Sequence, residues 1–307
     1  MLKPILISFL LINSALAQDT SNSNTKTTAS QDTAMQMLMA ESPHKEYVEA
    51  SFKAPRVIMS HSIEMVKPGV LSFLILHRFG NVNSGASQFF GLDQATIRLG
   101  FDYGITKDLT VGLGRSSYKK EIDDFAKYRI IQQSVGPQSI PFSLIIVVGN
   151  TIQTIKPADP SHALDFTYRL GYYSQVIMGR KFNENLSIQI APTIVHRNLV
   201  LTTADPNNTF ATGIGGRFKL SHRVSLNIDY YYVFNKDKSI VSYDPLSIGL
   251  DIETGGHVFQ LHFTNAIGMN ERAFITETTN NWSRGDIQFG FNISRAFQVK
   301  KKKMNTH

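Results

Sequence analysis

The stretch GDIQFGFNISRAF, residues 285–297, alternates large apolar side chains with polar or small ones. The apolar positions are Ile287, Phe289, Phe291 and Ile293, and those between them are Gln288, Gly290, Asn292 and Ser294. A period of two is the period of a β-strand and differs from that of a helix. This segment therefore predicts a strand with one apolar and one polar face.

The same alternation recurs along the chain. It is found in QATIRLGFDYGI (94–105), TGIGGRFKL (212–220), VSLNIDYYY (224–232), SIGLDIE (247–253) and HVFQLHFT (257–264). Short and long links alternate between these segments, as periplasmic turns and external loops do in outer-membrane barrels. A sheet in lipid must also close, because its backbone has no water with which to hydrogen-bond. The pattern predicts an all-β fold, a transmembrane antiparallel up-and-down β-barrel whose apolar face contacts lipid.

The spacing of the segments predicts about twelve strands, an even number, as is usual for bacterial single-chain barrels. A barrel of fourteen strands is the alternative. If residues 52–66 were another spanning strand, the N-terminus would start outside the cell, so we expect this segment to be periplasmic, to enter the lumen or to pair only partly. The twelve predicted strands lie near 69–79, 94–105, 109–118, 125–134, 141–153, 164–181, 186–199, 210–220, 224–235, 246–253, 257–265 and 285–297.

The first residues, MLKPILISFLLINSALAQ, have the features of a secretory signal peptide, with Lys3, a short apolar core and the small-residue site Ala15–Ala17. We expect a signal peptide at 1–17, a flexible periplasmic lead at 18–44, the barrel domain at 45–299 and a basic tail at 300–307. The chain has no cysteine, which excludes disulfides and thiolate metal sites. The expected location is integral in the outer membrane.

Several segments resemble an uncharacterised outer-membrane β-barrel family of Gram-negative bacteria, catalogued as a domain of unknown function. They include GGRFKLSHRVSLNIDYYYV (215–233), IGLDIETGGHVFQLHFTN (248–265) and FITETTNNWSRGDIQFGFNISR (274–295), and the resemblance covers about residues 45–297. It implies a membrane β-barrel fold and brings no catalytic residue, ligand or solute. Phe297, late in the last strand, also resembles the terminal signal read by the barrel-insertion machinery. We therefore expect that machinery and outer-membrane lipid as partners.

The polar side of the strands carries charges of both signs. The lumen-lining candidates are Arg98, Asp102, Arg169, Arg217, Lys219, Asp229, Asp251, Glu253, His262 and Asp286. They fit a charged constriction that selects solutes, or a set of salt bridges that fills a closed barrel. Twelve strands lie between the filled small barrels and the wide porins, so the strand count leaves both alternatives open.

Two further segments are candidates for closing the lumen. Residues 52–66 carry Arg56, His61 and Glu64, which suit a plug. The longest loop, 266–284, carries Phe274, Ile275 and Trp282, which are unusual in a solvated loop. These three side chains either form a constriction or a partner contact, or the loop packs on itself.

The function predicted from these features is a narrow passive channel for small polar or ionic solutes. The alternative is a plugged structural or partner-binding barrel of an envelope complex with an unknown periplasmic partner, and a barrel-borne hydrolase is a third hypothesis. The histidines are scattered without an HExxH spacing, so we predict no metal site and no cofactor. The net charge of +7 includes the run Lys300–Lys303, but basic and aromatic residues are not interleaved, so we predict no nucleic-acid partner. No spacing of serine, histidine and aspartate singles out a catalytic constellation, so we predict no enzyme.

Overall fold

Twelve strands form one closed antiparallel barrel in the computed structural model, which describes residues 44–155 and 164–300. Each barrel strand pairs with its neighbour in the chain, and the last pairs with the first. The predicted all-β up-and-down barrel of twelve strands is therefore confirmed. The barrel strands are β2 (Val70–Asn81), β3 (Ala95–Gly104), β4 (Leu109–Ser116), β5 (Glu121–Ile131), β7 (Ser143–Gln153), β8 (Leu170–Lys181), β9 (Leu186–Arg197), β10 (Asn208–Lys219), β11 (Val224–Val233), β12 (Leu246–Thr254), β13 (His257–Thr264) and β14 (Gln288–Gln298).

Two very short strands lie outside the barrel sheet. β1 (Glu46–Tyr47) pairs with β6 (Ser134–Val135), next to the link between β5 and β7. The predicted signal peptide, most of the predicted lead and nearly all of the basic tail lie outside the described residues. Within the described residues, no helical segment has the length and hydrophobicity that a membrane-spanning helix requires.

The alternation in the sequence corresponds to the two faces of the barrel wall. On β3, Leu99 and Phe101 are 42% and 48% exposed on the outside, whereas Arg98 and Asp102 are buried inside. The apolar side chains therefore form the outer surface, and the polar ones point into the lumen.

Strand ends differ from the predicted ones by several residues. The strand predicted from 164 begins only at Leu170, because Phe166–Arg169 form a short 3-10 helix, and both ends of β5 also differ. The sequence predicted 125–134, but β5 spans Glu121–Ile131. The sequence pattern misses the first four residues of β5 because Glu121 and Asp123 resemble loop residues. Both are in fact buried inside the barrel, where they pair with arginines.

Glycines on the inner face make room for large luminal side chains. A Cβ at Gly213 would lie 2.4 Å from Cζ of Tyr231, and one at Gly149 would lie 2.4 Å from Cε1 of Tyr173. Both tyrosine rings are buried against the wall in the space that a side chain would fill.

Gly213→Ala is expected to lower the free energy of unfolding by about 1–3 kcal/mol, because it overpacks the wall against Tyr231. Gly216→Ala is the matched control on the same strand, since nothing lies within 4 Å of a Cβ there. Alanine at Gly216 should leave stability unchanged or raise it by about 0.4–1 kcal/mol by restricting the unfolded chain. Urea unfolding of both variants from lipid vesicles measures the difference, and equal effects would contradict the assignment.

Candidate functional site

Residues 51–66 enter the lumen and fold back on themselves; we call this segment the plug hairpin. At its turn the N–H of Val57 donates to the carbonyl of Ser60 (2.9 Å), and the N–H of Ser62 donates to the carbonyl of Pro55 (2.9 Å). Every residue from Arg56 to Ile63 is buried. The structure therefore selects the luminal placement among the three alternatives for this segment.

The turn of the plug hairpin is held by Asp229 on β11. One carboxylate oxygen, Oδ2, accepts hydrogen bonds from the backbone N–H groups of Ile58 (3.3 Å), Met59 (2.8 Å) and Ser60 (2.9 Å). The Ser60 hydroxyl donates to Oδ1 (2.9 Å). Successive backbone N–H groups of this kind form a concave anion-binding nest. The carboxylate of the wall occupies that nest and fixes the tip of the plug.

The two arms of the plug hairpin, which form its stem, are hydrogen-bonded to each other and to the barrel wall. Glu64 accepts from the backbone N–H groups of Ser51 (2.5 Å) and Phe52 (3.0 Å). Lys127 on β5 donates to the carbonyl of Glu64 (2.6 Å), and Gln189 on β9 bonds both Ile63 N (3.0 Å) and His61 O (2.7 Å). Burial raises the pKa of Glu64, and its two backbone hydrogen bonds oppose that rise.

A second segment fills the lumen from the long loop between β13 and β14. It contains a short helix, Glu271–Thr276, which we call the loop helix and whose six residues are all buried. Its first turn is capped by the Asn270 side chain, which accepts from the N–H of Ala273 (2.9 Å). Arg272 pairs with Glu121 of the wall (Nε–Oε1 2.8 Å) and with Glu277 (2.5 Å).

The plug hairpin and the loop helix meet at Glu271. Its Oε1 lies 3.1 Å from Nη1 of Arg56 and 3.5 Å from Nε2 of His61. His61 also lies 3.4 Å from the hydroxyl of Tyr173, and its ring contacts the edge of Phe125. Burial, together with the charges of Arg56, Lys127 and Arg98, holds the pKa of His61 well below its ordinary value. His61 is therefore neutral at pH 7, and Arg56–Glu271 is the ionic contact of this junction.

Apolar side chains of the plug hairpin, the loop helix and the wall also pack together in one cluster. From the plug hairpin these are Phe52, Val57, Ile58, Met59 and Ile63; from the wall and the loop helix they include Phe125, Ile145, Val147, Tyr173, Ile177, Tyr231, Phe274 and Ile275. The wall residues of this cluster lie on adjacent strands from β5 to β11, so the two luminal segments pack against one half of the barrel wall. An open cavity of about 880 Å³ lies beside the stem, lined in part by Lys53, Glu64 and Arg129. A second cavity, of about 270 Å³, is lined in part by Tyr118, Arg169 and Arg272.

Comparison with known proteins identifies the family of this plugged barrel. The family described as "Membrane bound beta barrel domain (DUF5777)" matches residues 52–297. The chain belongs to this family. The matched region begins inside the plug hairpin and ends in β14, so the DUF5777 match includes both luminal segments as well as the wall.

Several solved outer-membrane barrels are similar to the DUF5777 barrel at low identity. The NanC porin is 8% identical with a TM-score of 0.47, covering 74% of this chain and 98% of its own. An outer membrane channel from Pseudomonas putida F1 is 12% identical with a TM-score of 0.46, covering 77% and 98%. The KdgM porin is 7% identical with a TM-score of 0.43, covering 74% and 98%. No curated protein matches the chain.

Six of the ten lumen-lining candidates are buried inside the DUF5777 barrel: Arg98, Asp102, Arg217, Asp229, Asp251 and His262. The other four lie near strand ends, at the rims. Glu253 is exposed and pairs with Lys53, Arg169 lies in the turn before β8, Lys219 ends β10, and Asp286 accepts from Asn83 Nδ2 (2.7 Å).

The structure shows the positions of all six residues that were candidates for closing the lumen. Arg56, His61 and Glu64 lie in the plug hairpin, and Phe274 and Ile275 are buried in the loop helix. Trp282 stays half-buried, and its indole N–H donates to the carbonyl of Leu246 (3.0 Å). The loop thus packs into the lumen and against the plug hairpin. The described residues contain no group of three or more side chains able to hold a metal ion.

Sequence reasoning missed several charged residues of the lumen of the DUF5777 barrel. They are Arg78, Glu121, Asp123, Lys127, Glu271 and Arg272. Arg78 follows Ser72, Leu74 and Leu76 on the inner parity of β2, so continuing the alternation by one step would have found it. Glu271 and Arg272 lie in a loop, where no strand period gives a signal.

Proposed function

We propose that the protein is an integral outer-membrane barrel whose lumen is a path for small polar or ionic solutes, closed at rest by the plug hairpin and the loop helix. The membrane-bound barrel itself follows from the fold and the family. The single observation that carries the proposal is a lumen occupied by two segments that meet at Glu271, with one cavity lined in part by the plug hairpin and another lined in part by the loop helix. Movement of the plug hairpin would join the two cavities.

The inner wall supports a path rather than a solid core. Buried polar atoms at several wall positions have no protein partner, including both carboxylate oxygens of Asp102 and Nη1 of Arg98. Buried polar groups of this kind are normally satisfied by water. A wall with such groups is suited to a hydrated lumen once the plug hairpin has moved.

A structural barrel of an envelope complex is the second candidate, and the latch at Asp229 favours it. Four hydrogen bonds to one carboxylate hold the plug tip firmly, as expected of a permanent plug. We propose no enzymatic activity. His61, His196 and His262 contact Tyr173, Asn208 and the backbone of Gln260, respectively, rather than a serine nucleophile.

Single-channel recording in planar bilayers tests the proposal. The refolded wild type is expected to be silent at low voltage, and a variant lacking residues 51–66 is expected to show steady conductance steps. A variant lacking residues 18–33, a deletion of equal length before the plug hairpin, is the matched control and should stay silent. Heat-dependent migration on gels verifies that each barrel has folded.

Two results would contradict the proposal. A folded barrel without residues 51–66 that never conducts would favour the structural barrel, because removing the plug would open no path. Equal conductance of the wild type and this variant would show that the plug hairpin does not close the lumen.

A further inference from the structure

The cavity of about 270 Å³ lies at the end of the barrel where the long loops meet, and we call it the mouth cavity. Its lining comes from the links that follow β4, β7, β9, β11 and β13, and the last of these links contributes the loop helix. Tyr168, Leu199 and Leu201 line it and are exposed, so it opens to solvent. Its volume is just below the range of about 300–1,000 Å³ that is usual for ligand pockets, which suits a small molecule.

The charged side chains of the mouth cavity are mostly basic. Four are basic and two are acidic: Lys119, Arg169, Arg197, Arg272, Asp237 and Glu277. Both acids are already engaged by cations of the lining. Asp237 accepts from Nη1 (2.8 Å) and Nη2 of Arg197, and Glu277 accepts from Nη1 of Arg272 and lies 2.8 Å from Nζ of Lys119. The lining therefore has an excess of positive charge.

Arg169 is the cation that these acids leave unpaired. It is the last residue of the short 3-10 helix Phe166–Arg169, directly before β8, and its Cζ lies 5.5 Å from the centre of the Phe166 ring. Within residues 44–155 and 164–300 it has no acidic partner, and its Nε has no hydrogen-bond partner. Its side chain is only half-buried and lines the mouth cavity, so an anion that enters the cavity can reach the guanidinium group.

Much of the remaining lining is apolar. Leu199, Val200 and Leu201 come from the link between β9 and β10, and Ile240 comes from the link between β11 and β12. Leu201 is 70% exposed, so a large apolar surface faces water beside the basic side chains. Ligand pockets combine apolar walls with a few polar groups that orient the ligand. The mouth cavity has this composition, with arginine as the orienting group.

We propose that the mouth cavity binds a small organic carboxylate with an apolar body. Its carboxylate pairs with the guanidinium group of Arg169, which binds carboxylates through charge-assisted hydrogen bonds. Its body covers the apolar side chains of the link between β9 and β10. The site is present in the closed barrel, so the proposal goes beyond the proposed function and does not depend on passage.

Benzoate is the probe, because it joins one carboxylate to one apolar ring. Equilibrium dialysis of radiolabelled benzoate against the full-length protein in detergent measures binding, and the uptake by protein-free micelles is subtracted. The wild type is expected to bind benzoate saturably. Arg169→Gln should raise the dissociation constant about tenfold, the effect of roughly one hydrogen bond to a charged group. Benzamide, the uncharged analogue of the same shape, should bind the wild type about tenfold more weakly than benzoate does.

Arg180→Gln is the matched control at the opposite end of β8. Arg180 is exposed, its Cζ lies 5.2 Å from the centre of the Phe182 ring, and it does not line the mouth cavity. The substitution removes the same charge from the same strand and the same kind of aromatic contact. Benzoate should therefore bind Arg180→Gln as it binds the wild type.

A pair of variants at Thr279 decides the matter if Arg169→Gln fails to fold. Thr279 lines the mouth cavity and is exposed, so larger polar side chains are tolerated there. Thr279→Glu adds a negative charge that opposes an anion, and Thr279→Gln adds a side chain of the same size without the charge. Benzoate should bind Thr279→Glu several-fold more weakly than Thr279→Gln.

Three results would overturn the proposal. The first is a wild type that shows no saturable binding of benzoate, and the second is undiminished binding by folded Arg169→Gln. The third is equal binding of benzoate by Thr279→Glu and Thr279→Gln. Conductance takes no part in this test, so its failure is distinct from failure of the proposed solute path.

Discussion

Asp229→Asn is expected to release the tip of the plug hairpin and to raise its exposure to solvent about 100-fold. The substitution removes the negative charge that three backbone N–H groups and the Ser60 hydroxyl share. The asparagine amide also brings an N–H donor of its own to a site surrounded by the backbone N–H donors of the plug hairpin. Hydrogen bonds to a charged group contribute about 1.5–3 kcal/mol each, and they are not additive. We take a loss of about 3 kcal/mol, which is about 100-fold in the equilibrium between closed and released plug.

A single introduced thiol measures this release, because the chain contains no cysteine. Met59→Cys places the thiol at the buried tip of the plug hairpin, where the native side chain is 0% exposed. The rate of modification by a small charged thiol reagent then reports how often the tip leaves its site. The comparison is made between barrels with and without Asp229→Asn, both carrying Met59→Cys.

Asp251→Asn is the matched control for this experiment. Asp251 is also a buried aspartate of the inner wall, but it accepts a hydrogen bond from Gln260 (2.9 Å), and that side chain in turn donates to the carbonyl of Val57 in the plug hairpin (2.8 Å). We expect the rate to change less than about tenfold, the effect of roughly one ordinary hydrogen bond. Equal rates in the Asp229 and Asp251 variants would show that Asp229 is not the latch.

The sequence is sufficient to predict the wall because the wall follows a local rule. Side chains alternate between lipid and lumen with a period of two, so the parity of Leu99 and Phe101 also places Arg98 and Asp102. Strand number follows from counting such segments. Strand ends are less certain, since charged residues such as Glu121 occur both in loops and on a luminal face.

The contents of the lumen depend on contacts that no local rule contains. Arg56 and Glu271 are 215 positions apart in the chain, and each looks like a solvated charge in its own segment. One local signal was nevertheless present. The run LIIVV at 144–148 is apolar at both parities, which is typical of a strand covered on both faces. Ile145 and Val147 face inward and pack against the plugged interior, so this run marks a filled lumen.

Glu271→Gln is expected to destabilise the closed barrel by about 3–5 kcal/mol, because it leaves the Arg56 guanidinium buried without a counter-charge. The double variant Arg56→Met, Glu271→Leu should recover most of that loss, since apolar side chains of similar volume replace a buried ion pair at little cost. Urea unfolding from lipid vesicles gives the coupling energy of the pair. Lys119→Met is the control, because Lys119 is 40% exposed in its ion pair with Glu277 and should contribute at most about 1 kcal/mol.

The two single variants should differ, and the difference should depend on pH. Burial raises the pKa of Glu271, and the charge of Arg56 opposes that rise. In Arg56→Met the opposing charge is absent, so Glu271 can take up a proton and become neutral, whereas Arg56 has no such escape in Glu271→Gln. A raised pKa in the folded state gives stability that is present below the ordinary value and is lost as pH rises through the raised one. The deficit of Arg56→Met should therefore shrink as pH falls from 8 towards 5, while that of Glu271→Gln should not. Parallel pH profiles for the two variants would show that Arg56 and Glu271 do not act as a pair.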